Sequence, residues 1–345
     1  MAKTVKRALS VAVAGANTAA GREVLRALAE RGPALSDIRA LGPARLAGKE
    51  LSFGERTLRL SGLEGADLAG LDLVIHAGSA AEARALAPRA AAAGAWLLDL
   101  SPAFRLEPGV ALLAPGVNPR ALTRAKKRRI AALPQPSALF AALVLAPLMA
   151  LAPLERVVAV SLQPASGAGK EGMDELFAQT RASFVNEIPA PQHFPKPIAF
   201  NLIPQTGGFD ADGETAEEAL FPRELRKMLD PDLRAGCTAL RAPVFVGEAL
   251  VLHLAFAAPV TVAAARAALG QAPGVALFDR REDGGYATPL EVAGEEVVTV
   301  SRLRRDPGAA HGLALWAAGD NLRLGAGVAA AEAVARLLGE GVFDG

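Results

Sequence analysis

Residues 11–25 read VAVAGANTAAGREVL. A short apolar run turns at Gly15 and passes from Gly21 into GREVLRALAERG, an Ala- and Leu-bearing helical stretch. A strand that turns through glycine into a helix brings backbone N–H groups to the positive end of a helix dipole, where a pyrophosphate can sit. Gly15, Asn17, Thr18, Ala19, Ala20 and Gly21 are therefore the candidate nucleotide contacts. The motif is incomplete: in the pattern GxxGxxG the middle position is Thr18, whose Cβ restricts backbone freedom and close ligand approach. A strand-to-helix turn also wants glycine for structural reasons alone, so this loop leaves nucleotide binding and a bare turn both open.

Outward from that loop, LDLVIHAG and AWLLDLS alternate with Ala-rich helical stretches such as AAEARALAPRAAAAG. That alternation predicts an α/β fold with a Rossmann-type, doubly wound parallel sheet. Past residue 132 longer strand-like segments, RVVAVSLQP and RAPVFVGEALVLHLAF, alternate less with helices and predict a second, α+β domain. The expected division is 1–132 with a returning C-terminal helix in 320–345, and 133–319. SALFAALVLAPLMALAPL at 137–154 is almost long enough to span a bilayer, but it contains Pro147 and Pro153 and stands alone, so a buried core helix is expected.

Lys plus Arg number 37 against 36 Asp plus Glu, which leaves no excess charge to hold a nucleic-acid backbone or an anionic membrane. A single cysteine, Cys237, rules out an intramolecular disulfide and a thiolate-rich zinc cluster; the four histidines have no metal-ligand spacing. No metal is expected, and a reducing cytoplasm fits best. The opening MAKTVKRALSVAVAGA has a basic start but too short an apolar run for a signal peptide.

Five further segments, DLSPAFR at 99–105, SLQPASGAGKEGMDEL at 161–176, IAFNLIPQ at 198–205, RAPVFVGE at 241–248 and GDNLRLGAG at 319–327, resemble the aspartate-semialdehyde dehydrogenase family in order and spacing. The resemblance implies an NADP-binding Rossmann-type domain joined to a dimerisation and substrate domain. It also implies an ancestral reduction of aspartyl phosphate that needs a thiolate nucleophile, a proton-moving histidine and anion-binding groups.

On that resemblance Pro136, in LPQPS, holds the nucleophile position and Glu248 the acid–base position. Proline offers neither a nucleophile nor an N–H; its expected role is to start a helix. Glu248 could move a proton if buried, but a base without a nucleophile does not support covalent catalysis. His253 should point to the opposite face of its strand from Glu248, and Cys237 should be an inert side chain. Ser137 has no base beside it and is expected in a cap or first turn.

The resemblance further carries substrate contacts onto Arg105, Gln163, Glu217 and Arg241, and cofactor contacts onto Arg45, Ser166, Gly167 and Asn321. Asn321 could equally cap the terminal helix. Leu220 stands where the family has lysine, deleting a charge-assisted contact of about 1.5–3 kcal/mol. Pro43, Leu46 and Leu100 replace polar residues on the cofactor side, so NADP binding is expected to be weakened or lost. The leading expectation is a non-catalytic paralogue with a structural, interaction or ligand-sensing role, forming a homodimer or pairing with an active relative. The alternative is an NADP-dependent oxidoreductase of the semialdehyde dehydrogenase type, acting on an aldehyde or acyl phosphate in amino-acid biosynthesis.

Overall fold

The computed structural model describes residues 7–124, 128–185 and 189–343. MAKTVK, the start of the segment weighed as a signal peptide, lies outside the described residues. The chain forms two compact units, Met1–Pro134 with Ala326–Gly345, and Gln135–Gly325.

In the first unit the elements are β1 (Leu9–Ala14), α1 (Ala19–Arg31), β2 (Leu35–Gly42), β3 (Glu50–Phe53), β4 (Arg56–Gly62), β5 (Leu73–His76), α2 (Ala80–Ala92), β6 (Trp96–Asp99), β7 (Ala111–Leu112) and β8 (Ile130–Ala132). They make one sheet in the order β3-β4-β2-β1-β5-β6-β8-β7. Every pairing is parallel except β3 with β4. β1 is buried along nearly its whole length, as a central strand covered on both faces must be. Its neighbours β2 and β5 run away from it in opposite directions across the sheet, which puts the switch point at the carboxyl end of β1. This is the doubly wound sheet that the alternating pattern predicts.

The turn after β1 depends on two glycines. Gly15 has φ +77°, and a Cβ there would lie 2.8 Å from the Ala77 carbonyl carbon. A Cβ on Gly21 would overlap the Gly15 carbonyl oxygen. Neither clash involves a ligand, so the structural reason for glycine is sufficient at both positions.

The second unit holds α3 (Pro136–Met149), β9 (Leu154–Gln163), α4 (Gly169–Ser183), α5 (Ala216–Met228), β10 (Arg234–Arg241), β11 (Glu248–Phe256), α6 (Val262–Gly270), β12 (Val275–Leu277), β13 (Val298–Asp306) and β14 (Gly312–Gly319). Its sheet has the order β10-β9-β11-β14-β13-β12 and is mixed, with β11 antiparallel to both neighbours. α3 is apolar all round, and ten of its fourteen residues are buried, which makes it a core helix packed on this sheet. No described helix is long and apolar enough to cross a membrane.

Along β11, Glu248, Leu250, Leu252, Leu254 and Phe256 are buried, while Val251, His253 and Ala255 are partly exposed. Glu248 and His253 thus occupy opposite faces, as the two-residue period of a strand requires. His253 instead pairs with Asp306, Nδ1 to Oδ2 at 2.7 Å. The chain's last helix, α7 (Ala329–Gly339), belongs to the first unit and packs against α1.

Gly21→Ala is expected to destabilise the chain by about 2–3 kcal/mol, the cost of forcing a methyl group against fixed backbone. Urea unfolding followed by circular dichroism measures it.

Candidate functional site

β10 ends on Arg241 and β11 begins on Glu248, so one loop delivers both side chains to the same edge of the second unit's sheet. That loop is stitched down by Ala165 N–H to Val244 O (2.8 Å) and Ser166 N–H to Phe245 O (3.0 Å). Gln163, at the end of β9, is the register partner of Arg241, and Glu217 approaches from the first turn of α5. Gln163, Glu217, Arg241 and Glu248, all singled out by sequence reasoning, therefore converge.

Arg241 is buried, at 5% exposure, and its Nη1 donates to Pro164 O at 2.7 Å. Burial pulls its guanidinium below the ordinary arginine value, while Glu217 and Glu248 push it back up. Gly167 leaves room for this group, since a Cβ there would stand 2.6 Å from Nη1. Gly167 thus shapes the arginine's seat.

Glu248 accepts a hydrogen bond from Ser161 Oγ at 2.8 Å. Burial pushes its carboxyl up to about 8; the Ser161 bond opposes this, Glu217 raises it further and Arg241 lowers it. At neutral pH the group is mostly a carboxylic acid, able to donate a proton or a hydrogen bond. Cys237, half-buried on β10, is pushed up to about 12 by burial and then by Glu248 and Glu218, with Glu217 adding less and a backbone hydrogen bond at Ser161 opposing. As a neutral thiol it is a poor nucleophile.

Pro136 opens α3 in its first turn, the position where a missing N–H costs nothing. Its ring packs on Gly325, where a Cβ would lie 2.9 Å from the Pro136 Cβ. Ser137 follows it into the first turn and is buried. Beside them Gln135 N–H donates to Glu224 Oε2 (2.8 Å) and Gln135 Nε2 to the Glu217 carbonyl (3.2 Å), leaving Gln135 Oε1 buried without a partner. This edge can bind an anion through Arg241 and supply a proton from Glu248. It offers no thiolate.

Asn321 is not a helix cap. Its Nδ2 donates to Ser166 Oγ (3.0 Å) and its Oδ1 accepts the Gly247 N–H (3.2 Å), so it ties the 247 loop to Ser166. Capping falls to its neighbour Asp320, whose Oδ1 accepts the N–H groups of Leu322 and Arg323.

On the first unit, Thr18 adopts extended backbone (φ −72°), so its Cβ imposes no strain. It caps α1 by accepting the Gly21 N–H at 2.9 Å, and its hydroxyl also lies 2.8 Å from Gly15 O and 3.0 Å from Ala77 O. Ala19 and Ala20 supply the first N–H groups of the helix. Asn17 Oδ1 is buried without a hydrogen-bond partner beside Gly42, the last residue of β2. Arg45, exposed on the short turn Ala44–Leu46, makes no hydrogen bond or ion pair among the described residues. An orphaned acceptor and an uncommitted cation at this end of the sheet fit the adenosine side of a dinucleotide.

Arg105 is expected as a substrate contact on the family resemblance. It is buried, with Nε donating to Leu133 O (2.9 Å) and Nη2 to Leu100 O (2.8 Å), so much of its donor fork holds backbone. No cluster of metal-ligating side chains occurs among the described residues. Sequence reasoning passed over Ser161 and Gln135. The period-2 step back from Gln163 marks Ser161; Gln135 carried no signal of its own.

Together these features define a two-unit α/β protein: a dinucleotide-type sheet, and a mixed sheet bearing an arginine–carboxyl site. Residues 10–125 match the semialdehyde dehydrogenase NAD binding domain and residues 145–324 the semialdehyde dehydrogenase dimerisation domain. The chain belongs to the semialdehyde dehydrogenase family. It is 36% identical over 317 residues to the aspartate-semialdehyde dehydrogenase of Rickettsia bellii (strain RML369-C), covering 92% of this chain and 94% of that protein. It is 37% identical over 338 residues to that of Mycolicibacterium smegmatis, covering 92% and 95%. The crystal structure of aspartate semialdehyde dehydrogenase II from Vibrio cholerae, complexed with ASA, is similar with a TM-score of 0.93 at 31% identity, over 97% of this chain and 99% of that one. These names favour the oxidoreductase reading that the sequence analysis put second; nothing in the comparisons speaks for a non-catalytic role.

Glu248 generates a pH prediction. Its folded value, about 8, lies above the unfolded value of 4.5, so the native chain keeps a proton that the unfolded chain releases. Its contribution to stability is complete below 4.5 and is lost as pH rises to about 8. Glu248→Gln removes this loss, and its stability relative to wild type should climb by a few kcal/mol (~2–5) between about pH 5 and pH 9 in urea unfolding. Cys237 should react with iodoacetamide at about pH 8 on the order of 10³ times more slowly than an unperturbed thiol, read by mass spectrometry.

Proposed function

We propose that this chain is a non-catalytic paralogue of aspartate-semialdehyde dehydrogenase that binds NADP on its first unit and a small anionic ligand at Arg241 on its second, without forming a thioester. Its role on this reading is ligand sensing or a structural partnership, as a homodimer or beside an active relative. The observation that carries it is Pro136, in the first turn of α3 at the position the family resemblance gives to the nucleophile. A proline ring cannot be acylated, and the chain's one thiol, Cys237, is held protonated. The dimerisation-domain match supports the homodimer.

The names of the relatives support the second reading more directly: an NADP-dependent oxidoreductase of the semialdehyde dehydrogenase type, with an aldehyde or acyl phosphate as substrate. Its physical foothold is Glu248, a buried acid beside Arg241. Such a reductase would use the hydride that NADPH supplies when bound, with Arg241 orienting the substrate; Glu248 would give its proton to the oxygen of an aldehyde as it becomes an alcohol, or to the phosphate that leaves as an acyl phosphate becomes an aldehyde. The residues that would hold the cofactor are Asn17, Thr18, Ala19, Ala20 and Arg45.

The two readings part in one assay of the purified chain. NADPH fluorescence is titrated first; then NADPH is mixed with an aldehyde or an acyl phosphate and nicotinamide absorbance is followed. Saturable NADPH binding with no substrate-dependent absorbance change is the expected result. Turnover that survives Cys237→Ala and falls at least tenfold in Glu248→Gln would replace the first reading by the second.

A further inference from the structure

Ser161 stands on β9 in register with Leu250, on the same face of the sheet as the buried residues of β11. It is fully buried, and a hydroxyl removed from water costs stability unless it is hydrogen-bonded. Among the described residues its one side-chain hydrogen bond runs to Glu248 Oε1, at 2.8 Å, diagonally across from β9 to β11. Gln163 is two residues further along β9 and Arg241 is the register partner of Gln163, so both share this face.

Exposure separates the four groups. Ser161 is closed off completely, whereas Glu248, Arg241 and Gln163 keep 3%, 5% and 6% of their surface open. A ligand can meet the last three, and Ser161 can act on it only through Glu248. The Arg241 guanidinium has five N–H donors and uses one among the described residues, Nη1 on Pro164 O, which leaves donors for an oxyanion. Below about pH 8 Glu248 is a carboxylic acid. With the Ser161 hydroxyl donating to Oε1, that oxygen is the carbonyl and the proton resides on Oε2. The reverse arrangement, with the acid donating to Oγ, would leave the hydroxyl proton without an acceptor among the described residues. The other groups facing Glu248 are Glu217 from α5, Arg241 and the Cys237 thiol from β10, and Gly319 from β14; α3, packed on β11, brings no charged side chain. Of these Arg241 carries the positive charge.

We propose that Ser161 is the positioning residue of the Arg241 site: it commits Oε1 of Glu248 as an acceptor, so that Oε2–H is the donor Glu248 presents to an oxyanion held by Arg241. The ligand class this selects is an anion whose oxygens all accept. A ligand that turned an ammonium group toward Glu248 would set donor against donor. Once Glu248 ionises, the donor is replaced by a negative charge, so anion binding is lost as the proton leaves. The inference rests on the reading of Arg241 as an anion site and adds to it the residue that orients its acid.

The test uses the full-length chain with succinate as the probe, an anion ionised throughout the range from about pH 7 to pH 10, so that any pH dependence belongs to the protein. Dissociation constants are measured by calorimetry for wild type, Ser161→Ala and Ser161→Thr. The ¹³C resonance of the Glu248 carboxyl, assigned with Glu248→Gln, is followed against pH. In wild type, affinity is expected to fall as pH rises through about 8, and succinate to move the Glu248 midpoint upward, a readout that needs no variant to fold. Ser161→Ala is expected to raise the dissociation constant roughly 3- to 10-fold at about pH 7 and to carry the Glu248 midpoint up by about one pH unit, since the lost bond favours the charged form. Ser161→Thr, which keeps the hydroxyl, restores both. Unchanged affinity and midpoint in Ser161→Ala would overturn the role of Ser161 while leaving the anion site intact. Weaker binding with an unmoved midpoint would make Ser161 a structural support and overturn the proposal as well. No succinate binding by wild type, or binding undiminished in Arg241→Met, would remove the anion reading and this inference together.

Discussion

The helix that carries the second unit's core begins on a proline, and the proposed function turns on that one backbone fact. Pro136 satisfies the helix start, because a first-turn residue needs no N–H, and its ring fills the space over Gly325. On the family resemblance the same ring stands at the nucleophile position, and it removes one backbone donor from the helix end. A residue well suited to folding α3 is thus unsuited to forming or stabilising an acyl intermediate there.

Around that helix start the electrostatics are dominated by carboxyl groups. Glu217, Glu218, Glu224 and Glu248 belong to this side of the second unit, with Arg241 buried among the charges that act on it. Burial keeps Glu248 in its acid form at neutral pH, which spares the sheet edge a second negative charge beside Glu217. Leu220, in place of a lysine on the family resemblance, leaves this region with less positive charge than an acyl phosphate would call for. A ligand with modest negative charge, held by Arg241 and hydrogen-bonded by the Glu248 acid, suits the arrangement better. The nucleotide side has a different balance: its glycines are explained by backbone packing alone, and Asn17 Oδ1 is a buried acceptor without a hydrogen-bond partner.

The parts of the fold legible in the sequence were those set by local physics. The glycine turn into α1, the charge-free run that becomes α3, and the separation of Glu248 from His253 all follow from residue type and period. Contacts that depend on strand order were hidden. Ser161 and Glu248 are 87 positions apart and meet only because β9 pairs with β11. His76 and Asp99 meet because β5 and β6 are neighbours. Arg105 reads as an anion-binding fork, and its Nε and Nη2 also hold the Leu133 and Leu100 carbonyls, whose positions no spacing rule specifies. Asp320 rather than Asn321 takes the cap for a similar reason: which of two adjacent polar side chains caps a turn depends on the backbone direction at that point.

The most direct test of a site without thioester chemistry is intact-mass spectrometry of the purified chain. It would be incubated with aspartate semialdehyde and NADP in the absence of phosphate, so that any acyl-enzyme accumulates, and then quenched in acid. The proposed non-catalytic reading, with Pro136 at the nucleophile position, predicts an unchanged mass. An acyl adduct, mapped by peptide analysis to Cys237 or to any other side chain, would contradict it.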